Sequence, residues 1–199
     1  EASNLSPEKQ VLRRSLKKKA GYEDIETVLL DIQLIVQHSP ELSNDTVDDA
    51  LDEMREFFKV KQLSGGATVY DSQSDLGVPP LIWLLDGRID HVIHDADKNM
   101  QMRMESAKLD AKTSGSQCVG PMDTIRSFTA AMSHVGTFKV LKNSKVVTLD
   151  RPDYLRLLDE HPRSADVLNV YLQTVNILQV SKYAKQVNYY SNQILQTRA

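Results

Sequence analysis

Cysteine is almost absent from this chain. Cys118 is the single one among 199 residues, which excludes a disulfide framework and a thiolate cluster for zinc and favours a reducing, cytoplasmic setting. An excess of basic charge is also missing. The net charge is -3, so no global field draws nucleic acid, and no nucleic-acid partner is expected. No apolar run approaches the roughly 20 residues needed to span a bilayer, so membrane association is expected only through a parent protein. The opening Glu1-Ala2-Ser3-Asn4 has neither a methionine nor a signal-peptide pattern, as in a piece of something longer. Gly-x-Ser-x-Gly, a phosphate-binding loop and zinc-ligand spacing are all lacking. No catalytic residue, metal or cofactor is therefore expected, and the chain does not read as an enzyme.

What is present reads first as helix. Apolar residues make up 41% of the chain and charged residues 26%, enough for one sizeable globular domain with helical flanks. Ser6-Pro7-Glu8 is a plausible helix start, Val11, Leu12 and Leu16 give a thin apolar stripe, and Gly21 is a stop signal. Residues 22–37 form a stronger amphipathic pattern, with Ile25, Val28, Leu29, Ile32 and Ile35 or Val36 at helical spacing, ended by Ser39-Pro40. A third helix is predicted from about Asp45, with Asn44-Asp45 as N-cap and Val47, Ala50, Leu51, Met54 and Phe57 or Phe58 on one face.

The period then changes. Lys59 to Leu63 alternates, Gly65-Gly66 turns, and Ala67 to Tyr70 is strand-like. After a polar loop at 72–80, Leu81 to Leu85 is a continuous apolar run of buried-strand length. Asp86-Gly87 reads as a hairpin turn, followed by a strand from Arg88 to His94. Met100, Met102 and Met104 alternate with polar neighbours, as on one packed strand face. Thr137 to Leu141 and Lys145 to Leu149 read as a strand pair joined by a turn at Lys142-Asn143-Ser144. Helix returns at Pro152, with Asp150 as N-cap and Tyr154, Leu155, Leu157 and Leu158 inside. His161-Pro162 breaks it, and one long amphipathic helix is predicted over 163–197. The fold class is α+β: an antiparallel β-roll, or jelly roll, flanked by N-terminal and C-terminal helices. Residues 1–44 are read as a helical N-terminal segment and 45–199 as the domain proper, with the roll at about 59–149 and C-terminal helices at 152–197.

Two strand motifs carry a resemblance. Gly65-Gly66-Ala67-Thr68-Val69-Tyr70, a variable loop, then Ile82-Trp83-Leu84-Leu85-Asp86-Gly87-Arg88-Ile89 resembles the opening of the cyclic-nucleotide-binding domain family, and the helix–roll–helix order matches that family over about residues 45–195. The resemblance implies a cassette that binds the cyclic phosphate and ribose: Phe-Gly-Glu, a short helix, then Pro-Arg, small residues and a strand. The matching segment here starts Val119-Gly120-Pro121-Met122 and ends Ser133-His134-Val135-Gly136-Thr137-Phe138. Gly120 fits the family's glycine. Pro121 stands where the ribose-binding Glu would be, and His134 where the phosphate-binding Arg would be; the stretch between is a few residues too long.

Proline offers no side-chain acceptor and no backbone N–H. Histidine is mostly neutral at pH 7 and lacks the guanidinium fork. Each lost charge-assisted bond costs on the order of 1.5–3 kcal/mol, so two would weaken binding by roughly a hundredfold or more. The resemblance thus implies a regulatory or protein-interaction domain with a degenerate ligand site. Its expected partners are other domains of its own parent protein, a separate protein, or a second copy held through the C-terminal helices. Its arrangement is similar to the cytosolic tail of sulfate-permease-type anion transporters, which makes a membrane transporter the expected parent. The alternative is a working sensor of a cyclic nucleotide or another small anion. It would use Gly120, Met122, Arg126, His134 and Val135, with Arg126 replacing the missing cation and backbone N–H groups after Gly120 completing the site.

Other constellations are weaker. His91 and His94 suggest a cupin-type metal site, but positions three apart on a strand face opposite sides and no Glu follows at the needed spacing; strand-surface histidines are the better account. His38 and His161 read as cap or turn residues. The basic run Arg13 to Lys19 could touch anionic lipid or carry phosphate on Ser15, though such runs are usually solvated helix faces. It is opposite in sign to the acidic stretch Asp45 to Glu56, and the two could pair, within the chain or across a dimer. Cys118 has no base arranged for nucleophilic attack and is expected to be a buried structural thiol. Trp83 is expected in the core or the barrel wall.

Overall fold

The computed structural model describes residues 21–40, 42–71, 79–94, 101–106, 117–119 and 136–178. Helix α1 spans Tyr22–Val36 and buries Val28, Leu29, Ile32 and Val36 on one face, with Glu23 and Asp24 complementing the dipole of its first turn. Helix α2 spans Asn44–Met54 and buries Val47, Ala50, Leu51 and Met54. Its cap is Ser43, not Asn44-Asp45: Ser43 is extended and its hydroxyl accepts from the Thr46 N–H at 3.3 Å. The helix starts one residue early because a serine in the β region satisfies an orphan first-turn donor as well as an Asx residue does. A 3-10 turn at Arg55–Phe57 leads into the sheet.

The sheet has six antiparallel strands: β1 (Lys59–Leu63), β2 (Thr68–Asp71), β3 (Leu81–His94), β4 (Gln101–Ser106), β5 (Gln117–Val119) and β6 (Gly136–Leu149). The 14-residue β3 and β6 pair along their length and form its spine. β4 and β5 share the free edge of β3, and β1 and β2 share that of β6.

Two turn readings are corrected here. Asp86-Gly87 and Lys142-Asn143-Ser144 lie inside continuous strands. The β3–β6 register slips between Leu84↔Val146 and Ile89↔Val140, so that β6 carries one residue more than β3 across the gap. Gly87 has φ +97, and a Cβ there would meet the Asn143 carbonyl oxygen and the Ser144 Cα at 2.6 Å. Ser144 fills the notch: its Oγ accepts from the Arg88 N–H at 3.0 Å and donates to the Lys142 carbonyl at 2.7 Å. A left-handed glycine serves a hairpin and a β-bulge equally well; the partner strand chooses between them. Asn143 accepts from the Gly65 N–H at 2.8 Å and so clasps the β1–β2 turn onto the same bulge.

Strand alternation splits the core in two. Ile82, Leu84 and Ile89 of β3 join Phe138, Val140 and Val146 of β6 and Tyr70 of β2 in the roll-side cluster. Leu81 and Trp83, with Val147 and Leu149, face the helices. Helix α3 (Arg151–Glu160) follows, then helix α4 over 162–178. Asp150 precedes α3 as its N-cap residue, but its side chain makes no cap bond; it meets Lys61 at 3.3 Å and Lys59 at 3.5 Å on β1. Tyr154 and Leu157 are buried, whereas Leu158, expected inside, is 40% exposed. A ten-residue helix on a flat core needs only a narrow stripe. His161 accepts its capping role twice: its N–H donates to Leu157 and its carbonyl accepts from Ser164 and Ala165, so one residue closes α3 and opens α4. The expected helix at 163–197 is seen as α4; residues 179–197 lie outside the described residues. Helices from before and after the roll, α1, α2, α3 and α4, all enter one apolar cluster with Trp83 at its sheet side. Among the described residues, no helix is long and apolar enough to cross a membrane.

Candidate functional site

The ligand-binding candidates Gly120, Met122, Arg126, His134 and Val135, and Pro121 with them, lie outside the described residues, as does the basic run Arg13 to Lys19. Their framework is described. Val119, before the segment, pairs with Ile82; Gly136, after it, pairs with Ile93. Both ends are therefore anchored to β3, on opposite edges and at opposite ends of that strand.

The roll face near these anchors is apolar and closed. Ile82, Leu84, Ile89 and Phe138 have no exposed surface, and Val140 is 1% exposed. Charged residues of both signs lie towards the Gly136 end: buried Asp90 on β3, which pairs across the ladder with Lys139 of β6, and Asp71 on β2, whose Oδ1 accepts from the Thr137 hydroxyl at 3.1 Å. His91 and His94 fall on β3 opposite Met104 and Gln101 of β4, and His38 lies exposed just past α1.

The other face of β3 carries a polar junction within an apolar core. Trp83 and Tyr171 are fully buried. The Trp83 indole N–H donates to the Tyr171 hydroxyl at 3.1 Å, and that hydroxyl donates to Asp31 Oδ2 at 3.0 Å. The two rings stack with centroids 6.5 Å apart, and Phe58 meets Trp83 edge-on at 5.1 Å. Burial, reinforced by Cys118 and the Asp31 carboxylate, holds the Tyr171 phenol well above its ordinary range, so it stays a neutral donor. Cys118 pairs with Trp83 across the β3–β5 ladder and is 1% exposed. Burial first, then Asp31, pushes its thiol far up; it is a structural thiol rather than a nucleophile. One hydrogen-bonded chain thus links β3, next to the start of segment 120–135, with α4 and α1.

The sequence reading missed this junction. Its trace was legible in part: Asp31 interrupts the apolar stripe of α1, and Tyr171 falls on the stripe of α4. What joins them is tertiary. Helix α1 is also tied to the end of α2 and to β6. Arg55 is 8% exposed and donates to Glu26 and Asp52 at 2.7 Å each, and Lys145 of β6 meets Asp24 of α1 at 2.8 Å. Burial would lower the Arg55 pKa, but the bonds from Asp52 and Glu26 outweigh it. Among the described residues, Glu56, Glu160 and His161 bring possible metal-ligand atoms within 4.8 Å of one another. Both glutamates are exposed, Arg156 already donates to Glu160 at 3.2 and 3.4 Å, and Glu53 lies 3.1 Å from His161 Nδ1. This is the surface ion-pair network of the α3–α4 corner.

The architecture has known counterparts. A cyclic nucleotide-binding domain from Methylobacillus flagellatus superposes with a TM-score of 0.60 at 14% identity, over 88% of this chain and 94% of that one. This chain has the cyclic nucleotide-binding fold. Weaker similarity reaches the sensor domain of the transcriptional regulator DNR from Pseudomonas aeruginosa (TM-score 0.48, 16% identity, 81% and 95% covered). It also reaches the catabolite activator protein of Thermus thermophilus (0.46, 19%, 81% and 63%), of which the chain spans less than two thirds. No protein-family model and no curated protein sequence matches the chain. At 14% identity the likeness to the Methylobacillus domain shows the fold alone.

Proposed function

We propose that the chain is a non-enzymatic regulatory or protein-interaction domain that does not bind cyclic nucleotides at a working affinity, and whose helices answer to residues 120–135. One observation carries this reading: the bond from Trp83 through Tyr171 to Asp31. A segment anchored on β3 can bias the helices only through a contact with two arrangements. The indole–phenol–carboxylate chain offers such a contact, since breaking it strands the buried Trp83 N–H and Tyr171 hydroxyl away from water. The degenerate site is supported by Pro121 and His134 in the cassette and by the apolar roll face.

The parent we favour is a membrane transporter of the sulfate-permease type, with this chain on its cytosolic side. That part rests on the resemblance of arrangement alone. Coding sequence upstream of Glu1 in the intact gene should then encode several spans of about 20 apolar residues; a soluble upstream domain would end it.

The test of the ligand reading is a calorimetric titration with cAMP and cGMP to millimolar concentration, about a thousand times the micromolar level of a working site. No saturable heat is expected. Saturable heat that disappears in Arg126→Ala or His134→Ala would replace this reading with a true sensor that uses a nonstandard pocket.

A further inference from the structure

The outward face of α1 is apolar at its centre. Leu30 and Leu34 are 55% and 60% exposed. Glu23, Thr27, Leu30, Leu34 and Gln37 are all exposed and recur at spacings of 4, 3, 4 and 3 along the chain. Such spacing makes one straight seam, the kind against which a second helix packs. The Thr27 hydroxyl donates to the Glu23 carbonyl of its own helix at 2.9 Å, so the centre of the seam offers apolar contact rather than hydrogen bonding.

The borders of the seam have one sign. Asp45, Asp48 and Asp52 follow one another at helical spacing on α2, and two contacts place this row beside α1. Gln33 donates to Asp48 at 2.9 Å, and Arg55 joins Asp52 to Glu26 at 2.7 Å each. Gln33 is the i+3 neighbour of Leu30, so the row adjoins the seam. Glu53 is turned the other way, to Ser164 and His161 at the α3–α4 corner. On the opposite border Asp31, the i−3 neighbour of Leu34, meets Tyr171 of α4. The sequence holds no lysine or arginine from Tyr22 to Met54 or from Ser164 to Leu178. Arg55 and Lys145, which reach α1 from outside those stretches, are engaged by Glu26, Asp52 and Asp24.

We propose that this face takes one amphipathic helix of a partner protein, with leucine-like side chains at the same 4-3 spacing and lysine or arginine on the flank that meets Asp45 and Asp48. This rests on the reading of the chain as an interaction domain and gives its partner a chemistry. Charge decides among the occupants. A second copy, paired through α1 about a two-fold axis, sets the acidic row beside its own counterpart or beside α4, and neither supplies a cation. An anionic lipid surface meets the same repulsion. A basic flank is attracted along the whole row, and the leucine seam supplies the contact.

Two designed helical peptides of about 18 residues test this. Both carry leucines at 4-3 spacing; lysines flank them in one and glutamates in the other. Each is titrated into the full chain by fluorescence anisotropy, and the contact is mapped by amide exchange. The lysine peptide should bind saturably at roughly micromolar concentration and the glutamate peptide about tenfold or more weakly, with protection on residues 22–37 and 44–54. Leu30→Asp/Leu34→Asp should weaken the lysine peptide roughly a hundredfold, about tenfold for each leucine, and leave the amides of β3 and β6 unchanged. Asp45→Lys/Asp48→Lys should reverse the preference between the peptides. Absence of binding by either peptide would overturn the proposal, as would equal affinity for the two or lysine-peptide binding that survives the leucine variant. Self-association abolished by the leucine variant would assign the face to a second copy, and anionic-vesicle binding abolished by it would assign the face to lipid. Saturable heat with a cyclic nucleotide ends the interaction-domain reading whatever the peptides do; peptide failure without that heat ends only the α1 surface.

Discussion

The two faces of β3 do different work, although their residues alternate along one strand. Among the described residues, the roll face, from Ile82 and Leu84 to Phe138 and Val146, is apolar and is assembled from strands alone. The helix face, around Leu81 and Trp83, gathers four helices and β5, and has a hydrogen-bonded polar chain at its centre. An apolar face stabilises by area and tolerates volume-conserving change. A buried polar chain is directional; satisfied it specifies one arrangement, broken it leaves stranded groups. The contrast teaches that one strand can hold its roll face by buried area and its helix face by directional bonds.

The largest expected effect comes from neighbours on opposite faces. Trp83→Ala should cost about 4 kcal/mol and Ile82→Ala about 3 kcal/mol in denaturant unfolding, read by circular dichroism because Trp83 is the sole tryptophan. Only Trp83→Ala should speed amide exchange in α1 and α4. Equal loosening of those helices by both variants would erase the distinction between the faces.

Alkaline pH sharpens it next. The thiol of Cys118 and the phenol of Tyr171 are both raised in the folded chain above their ordinary values of 9.0 and 10.0. The unfolded chain therefore loses these protons first. Their contribution is complete below pH 9 and declines as pH rises past each ordinary value, by about 1.4 kcal/mol per unit for each group. Unfolding at pH 8 to 11 should show that slope, and Cys118→Ala and Tyr171→Phe should each remove one part of it. A flat profile would mean that the helix face is open to solvent.

A smaller loss is expected from Tyr171→Phe, about 1.5 kcal/mol at neutral pH, because the Trp83 N–H and the Asp31 carboxylate lose a shared partner. Combined with Trp83→Phe the effects should be less than additive, and the Trp83 emission of the single Tyr171→Phe variant should shift. Strict additivity would reduce the chain of bonds to two unrelated contacts.

The fold was legible where the signal was local. The change from helical spacing in α1 and α2 to alternation after Lys59 marks the sheet. Gly65-Gly66 is a turn and Tyr154 and Leu157 lie inside α3, as their spacing requires. Asp86-Gly87 and Lys142-Asn143-Ser144 misled because glycine's left-handed conformation suits turn and bulge alike, and only the strand opposite, with Ser144 seated against Gly87, distinguishes them. Ser43 was overlooked as a cap because it and Asn44 present the same short acceptor. Of the candidate site, the proposed cassette residues come from the family resemblance alone, while the structure describes the strands on either side of them.

Residue periodicity by itself determined the α+β order, the buried stripe of each helix and the two-faced character of β3, because those follow from 3.6- and 2-residue repeats between near neighbours. Tertiary structure alone decided that two long bulged strands form the spine, that Ser43 caps α2, and that Trp83, Tyr171 and Asp31 meet. Trp83 and Tyr171 are 88 positions apart, and Tyr171 and Asp31 are 140. No local pattern encodes such a meeting; it arises when the apolar stripes of separate helices close on one face of one sheet, and the polar groups they carry must find each other there or remain unpaired.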